Sequence, residues 1–242
     1  MAQLVEFLVF PFRSIFSSGR GSQTYERFIE HAYEIGVNSI PLILIVGAFL
    51  GLVTTVQTSY QISSMFPKYF LGLTVGRMMM IELGPVLTAL SITGRCVSAF
   101  AAEIGTMKIS EQIDALRVMK ISPENYLVKP RILAMLLVLP LLNAIMITVS
   151  LFAGAIFAQI FFQSNISTFF YGITHPFFPR DFWVSFVKSI FFAFWISSAG
   201  AYFGFQVSGG AKQVGRASTN AVVISTVVIL ILDFIAAILF FQ

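Results

Sequence analysis

Five apolar stretches, each long enough to cross a bilayer, constrain this chain more than any other feature. Of its 242 residues 57% are hydrophobic and 11% are charged, whereas soluble domains carry about 25% charged residues. The mean hydropathy is +0.87. The apolar runs are continuous, without the alternation of an outer-membrane barrel. Because lipid cannot satisfy open backbone groups, these runs predict an all-α integral membrane protein.

The second predicted span is longer than one crossing needs. A crossing takes roughly 20 apolar residues, but residues 69–105 would form roughly 54 Å of helix. Pro85 removes one backbone donor and crowds the Ile81 carbonyl, so we expect a kink there or an end that projects into water. The predicted spans are residues 39–60, 69–105, 130–162, 182–205 and 219–241.

Basic residues divide unequally between the two ends of these spans. Ten Lys and Arg side chains precede the first span or lie between the second and third or the fourth and fifth. The other ends carry Lys68 and Arg180, with Lys188 just inside the fourth span. Because cytoplasmic loops hold the excess of basic residues, we expect a cytoplasmic N-terminus and an external C-terminus.

The N-terminal apolar residues 4–16 are too short to span. Glu6 and Pro11 interrupt them and no basic region precedes them, which is not the pattern of a signal peptide. Their phenylalanines favour a helix that lies in the membrane interface, within a region that we place at residues 1–36.

Residues 82–131 hold eleven of the 26 charged residues of the chain. Within them, residues 107–120 place Ile109, Ile113 and Leu116 on one helical stripe, with charges on the other faces. Such a helix is either a solvated surface element or a docking element for a cytoplasmic protein. The chain has no G-x-x-x-x-G-K-[ST] phosphate loop, so nucleotide energy would come from a separate subunit.

Ionisable residues inside the spans are functional candidates, because each would cost several kcal/mol if it faced lipid. Arg77, Glu82 and Asp233 lie in predicted spans. Glu82 with Pro85 after it suggests a gate or a cavity wall, or else an acid satisfied by a neighbouring helix. For Asp233 we favour a structural hydrogen bond. The single Cys96 and the separated histidines give no disulfide framework and no metal-ligand cluster.

The remaining membrane part has few polar side chains, and Leu, Ile, Met and Phe dominate it. An ion or sugar pathway would need more charged, amide or hydroxyl groups. The composition is more typical of a path for an amphiphile with acyl chains.

The run ELGPVLTALSITGR…AAEIGTMKISEQIDALRVMKISPENYLVKPR resembles the MlaE family of ABC-transporter permeases. This family includes the permeases of Mce systems and of chloroplast lipid import. The likeness extends to SIPLILIVGAFLGLVTTVQ and to GRASTNAVV…LDF, and it covers most of the chain.

The resemblance implies a single MlaE-type permease domain over residues 1–242, with an interfacial helix, five transmembrane helices and a coupling helix at 107–120. It implies a bacterial inner-membrane homodimer that binds a cytoplasmic ABC ATPase dimer and a periplasmic hexamer of MCE-domain proteins. Whether a STAS-domain subunit is also present stays open. The implied task is transport of lipids, phospholipids in the first instance, between the inner membrane and an MCE-protein conduit that leads towards the outer membrane, whose lipid asymmetry it would serve. The direction of transport and the identity of the lipid, a phospholipid, a sterol or another, stay open. ATP and magnesium would be bound by the partner ATPase, and the chain itself would hold no cofactor and catalyse no reaction.

The resemblance also implies two sets of functional residues. The family has Arg immediately before the motif Glu, where this chain has Ile81. Arg77, one turn earlier, is our hypothesis for its replacement. The implied substrate-binding residues are Thr54, Gln57, Gln61, Ile62, Met65, Arg77, Ile81, Glu82 and Leu83, and the implied ATPase-coupling residues are Glu103, Lys108, Glu111, Gln112, Asp114 and Arg117.

Two other functions are compatible with the sequence. An ion-coupled secondary transporter would need paired acids or discontinuous helices around a midplane site. A membrane scaffold would have no transport activity at all.

Overall fold

The computed structural model describes residue 7 and residues 9–12, 21–62, 66–176 and 178–241, with the backbone alone at residues 21–24 and 241. These residues are almost entirely helical and contain no strand. The all-α prediction is therefore confirmed. In chain order the helices are α1 (Gly21–Gly36), α2 (Ile40–Gln61), α3 (Tyr69–Met78), α4 (Gly84–Ile92), α5 (Ser98–Ile109), α6 (Gln112–Val118), α7 (Lys129–Phe162), α8 (Ile166–Thr174), α9 (Pro179–Phe205) and α10 (Ala211–Phe241).

Short turns of other helix types join several of these helices. A 3-10 turn, Val37–Ser39, leads from α1 into α2. Three π-helical turns, Met79–Leu83, Thr93–Val97 and Glu124–Val128, lie between α3 and α4, between α4 and α5, and before α7. When these turns are counted as helix, the described residues contain five helical runs that are long and apolar enough to cross a membrane: Tyr25–Gln61, Tyr69–Ile109, Glu124–Phe162, Pro179–Phe205 and Ala211–Phe240.

Prolines mark where three of the long helices begin. Pro41, Pro130 and Pro179 each occupy the first or second position of a helix, where the missing N–H costs nothing. The last helix begins at Ala211, earlier than its apolar stretch predicts. Its first turns are polar, with Lys212 and Arg216 exposed, and the helix packs against α5.

The described residues form two compact units. The first takes residues from Met1–Ser39, Ala89–Leu139 and Ile190–Gln242, and the second is made of Ile40–Thr88 and Pro140–Ser189. In the second unit α3 and α8 approach closely: a Cβ on Gly72 would collide with the Phe169 backbone, and one on Gly172 with the Tyr69 backbone. The core beside them consists of Leu71, Val75, Met79, Leu151, Ala155, Ala158 and Phe169.

The first unit has a core around α6 and a second one near the N-terminus. Residues around α6 that are buried together are Ile104, Ile113, Leu116, Leu127, Val128, Ile132 and Ala201. At the N-terminus, Phe7 is buried against Trp195 and Tyr202 of α9. The interfacial helix expected at residues 4–16 is described only at residues 7 and 9–12, which are helical. Phe7 there packs on protein instead of facing lipid.

Candidate functional site

A lysine and a glutamate meet inside the second unit. The Lys188 side chain of α9 is fully buried, and its Nζ lies 2.7 Å from Glu82 Oε2. The same ammonium donates a hydrogen bond to the Ile81 carbonyl at 3.0 Å. The Glu82 side chain keeps 45% of its surface exposed. The pair therefore presents a carboxylate at an accessible surface while its cation is enclosed by protein.

Pro85 explains why the Ile81 carbonyl is free for the lysine. In an α-helix that carbonyl would accept from the N–H of residue 85, which proline lacks. The chain forms a π-helical turn at Met79–Leu83 instead, and the Gly84 N–H donates to the Met79 carbonyl. Such turns are frequent at functional sites. Thus the local effect of Pro85 is to expose a backbone acceptor beside Glu82.

A second ion pair lies one turn earlier on α3. Arg77 Nε donates to Asp181 Oδ2 at 2.9 Å, and its guanidinium carbon is 4.5 Å from the centroid of the Phe178 ring. Asp181 is buried in the first turn of α9, where the helix dipole favours an acid. Each of the two acids therefore has its own cation: Lys188 pairs with Glu82, and Arg77 pairs with Asp181. A narrow cleft beside Arg77 is lined by Leu73, Gly76, Arg77, Met80, Ile173, Pro176, Phe178 and Asp181.

These contacts bear on the hypothesis that Arg77 replaces the arginine that the family has at position 81. Arg77 points its Nε at Asp181, and Lys188 supplies the cation that contacts Glu82. The structure thus brings Arg77, Ile81, Glu82 and Leu83 together on one stretch of helix. Lys188 and Asp181, both on α9, complete that group.

The other residues expected to bind substrate lie in different surroundings. Thr54 is buried and donates its hydroxyl to the Leu50 carbonyl at 2.8 Å. Gln57 and Gln61 are exposed on α2. Ile62, like Leu83, packs against the apolar core of the second unit. Met65 lies outside the described residues.

Sequence reasoning missed Lys188 and Asp181 as members of this site. Lys188 carried a signal, because a lysine within an apolar span is expensive unless it is paired. It was instead counted among the basic residues at the external ends of the spans. Asp181 carried little signal, since it lies at the start of a helix beside Arg180 and is separated from Arg77 by more than 100 residues.

The charged segment of the first unit differs from its prediction in one respect. A single helix was expected at residues 107–120, but α5 ends at Ile109 and α6 spans only Gln112–Val118. Glu111, which precedes α6, has a φ of 59° in the left-handed region, and this conformation breaks the helix. Ile113 and Leu116 are buried as the stripe predicts, whereas Ile109 is 40% exposed.

The outer surface of α6 combines charge with exposed apolar groups. Glu111, Gln112, Asp114 and Arg117 are exposed, and Arg117 Nη1 lies 3.1 Å from Asp114 Oδ1. Val118 beyond them is 84% exposed. We call Glu111, Gln112, Asp114, Arg117, Val118 and Met119 the docking surface.

The two remaining coupling candidates each have a partner within the protein, although Glu103 keeps 52% of its side chain exposed. Glu103 Oε1 lies 2.6 Å from Arg131 Nη2. Lys108 donates from Nζ to the carbonyl of Phe205, the last residue of α9. Among the described residues, no three His, Cys, Asp or Glu side chains lie close enough to hold a metal ion.

Comparison with known proteins agrees with this architecture. The sequence profile described as Permease MlaE matches residues 28–239. A probable ABC transporter permease protein of Synechocystis sp. is 36% identical over 88% of this chain and 81% of its own length. A probable ABC transporter permease protein of Rickettsia felis is 33% identical over 98% of this chain and 91% of its own length.

A plant relative is similar at the same level. The chloroplastic protein TRIGALACTOSYLDIACYLGLYCEROL 1 of Arabidopsis thaliana is 33% identical over 92% of this chain, which covers 64% of that protein. The described residues contain five helical runs long and apolar enough to cross a membrane, and the profile matches most of the chain. The chain therefore belongs to the MlaE family of ABC-transporter permeases and is a multi-pass membrane protein.

Proposed function

We propose that this permease moves lipids, and phospholipids in the first instance, with energy from a separate cytoplasmic ATPase. The lipids pass between the bacterial inner membrane and a periplasmic conduit of MCE-domain proteins that leads to the outer membrane. The N-terminus lies in the cytoplasm and the C-terminus in the periplasm, as the excess of basic residues on one side favours.

The observation that carries the proposal is the Glu82–Lys188 pair in apolar surroundings. Glu82 offers a partly exposed carboxylate that the enclosed Lys188 holds from inside, and Arg77 offers a guanidinium with 44% of its side chain exposed. A headgroup amine is attracted to Glu82 and a phosphate to Arg77, so a zwitterionic headgroup finds both signs of charge on one stretch of helix.

Acyl chains need an apolar surface next to that charged point. In the same unit α2 exposes Ile45, Phe49 and Val53 at helical spacing, followed by Gln57. Residues on this face suit either acyl chains or a second copy of the chain. We propose a homodimer whose copies face each other around the lipid. The name of the Arabidopsis relative contains that of a lipid, trigalactosyldiacylglycerol, which supports a lipid substrate.

The docking surface on α6 supports the second half of the proposal. Its exposed charges and Val118 suit a helix-in-groove contact with a cytoplasmic protein. In an ABC transporter that protein is the ATPase, which binds ATP and magnesium, and it would be present as a dimer. A STAS-domain subunit is an additional partner that the same preparation can reveal.

The direct test is purification of the tagged full-length chain from its own host in mild detergent. Mass spectrometry of the preparation should find an ATP-binding subunit and phospholipid enriched over the bulk extract. Glu82→Gln combined with Lys188→Met should retain the ATPase and lose the lipid. Transport of a fluorescent phosphatidylethanolamine that needs an ion gradient and survives removal of the ATPase would contradict the proposal in favour of a secondary transporter. Absence of both lipid and transport would favour a scaffold.

A further inference from the structure

The two ends of the segment that carries α6 are tied together by a buried arginine. Glu103 lies on α5 before the segment, and Arg131 lies in the first turn of α7 after it. The chain between these two residues, which includes the docking surface, starts and returns at the Glu103–Arg131 pair. The position of this pair therefore sets where both ends of the segment that carries α6 lie.

Arg131 contacts residues at both ends of this segment. Its side chain is 2% exposed, and Nη2 lies 2.6 Å from Glu103 Oε1. Nη1 donates to the Leu127 carbonyl at 2.7 Å, and the guanidinium carbon lies 5.6 Å from the centroid of the Phe100 ring. A buried guanidinium depends on its carboxylate, because removing one partner leaves an uncompensated charge. Arg131 thus joins α5 to the π-helical turn before α7.

The apolar contacts of α6 connect to the same turn. Ile113 and Leu116 are buried with Leu127 and Val128 in one cluster. Leu127 therefore contributes its carbonyl to Arg131 and its side chain to the cluster that holds α6. Movement of Arg131 would be transmitted to α6 through a residue that contacts both.

Lys108 provides a second anchor at the other end of α5. Its ammonium donates to the Phe205 carbonyl at the C-terminus of α9, where the helix dipole favours a cation. Lys108 and Glu103 are thus both satisfied within the first unit. The residues of α6 and its flanks that are exposed include Glu111 and Asp114.

We propose that Glu103 and Arg131 are positioning residues that set the docking helix α6, and that Glu103 acts inside the permease instead of contacting the ATPase. Lys108 assists through its bond to α9. This inference rests on the proposed function, because it assumes that α6 meets an ATPase. The energy of ATP hydrolysis reaches α7 through Leu127, because Leu127 is buried with Ile113 and Leu116 of α6 and its carbonyl accepts a hydrogen bond from Arg131 of α7.

The first experiment needs no ATPase. Full-length permease is purified in lipid nanodiscs as wild type, Glu103→Gln, Arg131→Met and the double variant, and thermal unfolding is followed by tryptophan fluorescence. Glu103→Gln should lower the melting temperature by about 5 °C, and the double variant should melt no lower than Arg131→Met. Glu30→Gln, an exposed acid on α1, is the matched control and should not shift it. Additive losses in the double variant, or an unshifted Glu103→Gln, would overturn the pairing.

Should Arg131→Met fail to accumulate, Arg131→Lys takes its place in the cycle. Lysine keeps the charge but cannot reach Glu103 and the Leu127 carbonyl together as a planar fork does. Glu103→Gln should then have a smaller effect in the Arg131→Lys background than in wild type. An equal effect in both backgrounds would count against the pair.

The second experiment uses the assembled transporter with its own ATPase in nanodiscs. Glu103→Gln should keep the ATPase bound and still hydrolyse ATP, but lipid release per ATP should fall about threefold or more. Glu103→Asp should restore most of it. If Glu103→Gln loses the ATPase while its melting temperature is unchanged, Glu103 is a contact residue and the proposal fails. If wild type binds no ATPase at all, the proposed function fails, while the thermal cycle still decides the pair.

Discussion

The pair of Glu82 with Lys188 and the pair of Asp114 with Arg117 hold opposite charges at similar separations, 2.7 Å and 3.1 Å. Their surroundings differ. Lys188 is completely enclosed, whereas the Asp114 and Arg117 side chains are 65% and 63% exposed. Water screens the exposed pair and competes for both its ions, so such pairs contribute about 0–1 kcal/mol. Enclosure makes the partner of Lys188 indispensable.

The difference separates two kinds of functional charge. A charge in the interior keeps its partner unless another charged group, such as a lipid headgroup, takes its place. A charge on the surface exchanges its partner freely and is suited to meet another protein. The Glu103–Arg131 pair combines the two, with a buried cation and a half-exposed acid.

The largest effect is expected from Glu82→Gln. This change leaves the enclosed Lys188 ammonium without its carboxylate, and we expect a loss of about 3 kcal/mol in the free energy of unfolding. The value is at the low end for buried pairs because the Ile81 carbonyl still accepts a hydrogen bond from Lys188. Thermal or denaturant unfolding in nanodiscs measures it. Glu30→Gln, at an exposed position, is the control, and an equal response of both variants would remove the contrast between the two pairs.

Combining Lys188→Met with Glu82→Gln sharpens the same contrast. Replacing both charges is often nearly neutral for stability, so the double variant should recover most of the lost unfolding free energy. Bound phospholipid, counted by mass spectrometry, should stay low. Recovery of lipid together with stability would assign the pair a purely structural role.

A smaller effect is expected from Arg77→Ala. Asp181 is buried and loses its cation, but water reaches the vacated position because Arg77 is 44% exposed. We expect a loss of about 1–2 kcal/mol in the free energy of unfolding. Arg77→Lys keeps the charge and should lose less. If Arg77→Ala lowers the amount of bound lipid without changing stability, the main role of Arg77 is to bind the lipid headgroup and not to neutralise Asp181.

The smallest effect on stability is expected from Asp114→Asn. It removes only an exposed pair, so the free energy of unfolding should change by less than about 0.5 kcal/mol.

Reversing charge on the same surface tests its function and not its stability. Glu111→Lys with Asp114→Lys should leave unfolding unchanged but abolish co-purification of the ATPase. Persistence of the complex would remove the docking assignment.

Much of the fold could be predicted from the sequence, and the charge network could not. The spans at 39–60 and 182–205 lie within α2 and α9 to within a few residues, because an uninterrupted apolar run in lipid has helix as its stable form. The break at Glu111 could not be predicted, because the apolar stripe of Ile113 and Leu116 fits one continuous helix as well as two helices joined at a left-handed residue.

The candidate site divides in the same way. Glu82 could be identified from its place in an apolar span, because an acid that faces lipid there costs free energy. Its partner Lys188 is 106 residues away along the chain, a distance over which no sequence pattern predicts contact. Similarly, Glu103 is predicted to contact the ATPase, but its carboxylate is bound to Arg131. Helical spacing tells which residues share a face, but it does not tell which neighbouring helix that face meets.

By itself, the sequence determined that this protein crosses the membrane as helices and belongs to one permease family. Both conclusions depend on properties that are local or cumulative along the chain: a helix satisfies its own backbone, and a long motif is specific. Only the tertiary structure decided which charges neutralise each other, which acids contact a buried cation, and which lie exposed at α6. Those outcomes depend on distances of a few ångströms between segments far apart in sequence, since the energy of an ion pair is set by its separation and by the water around it.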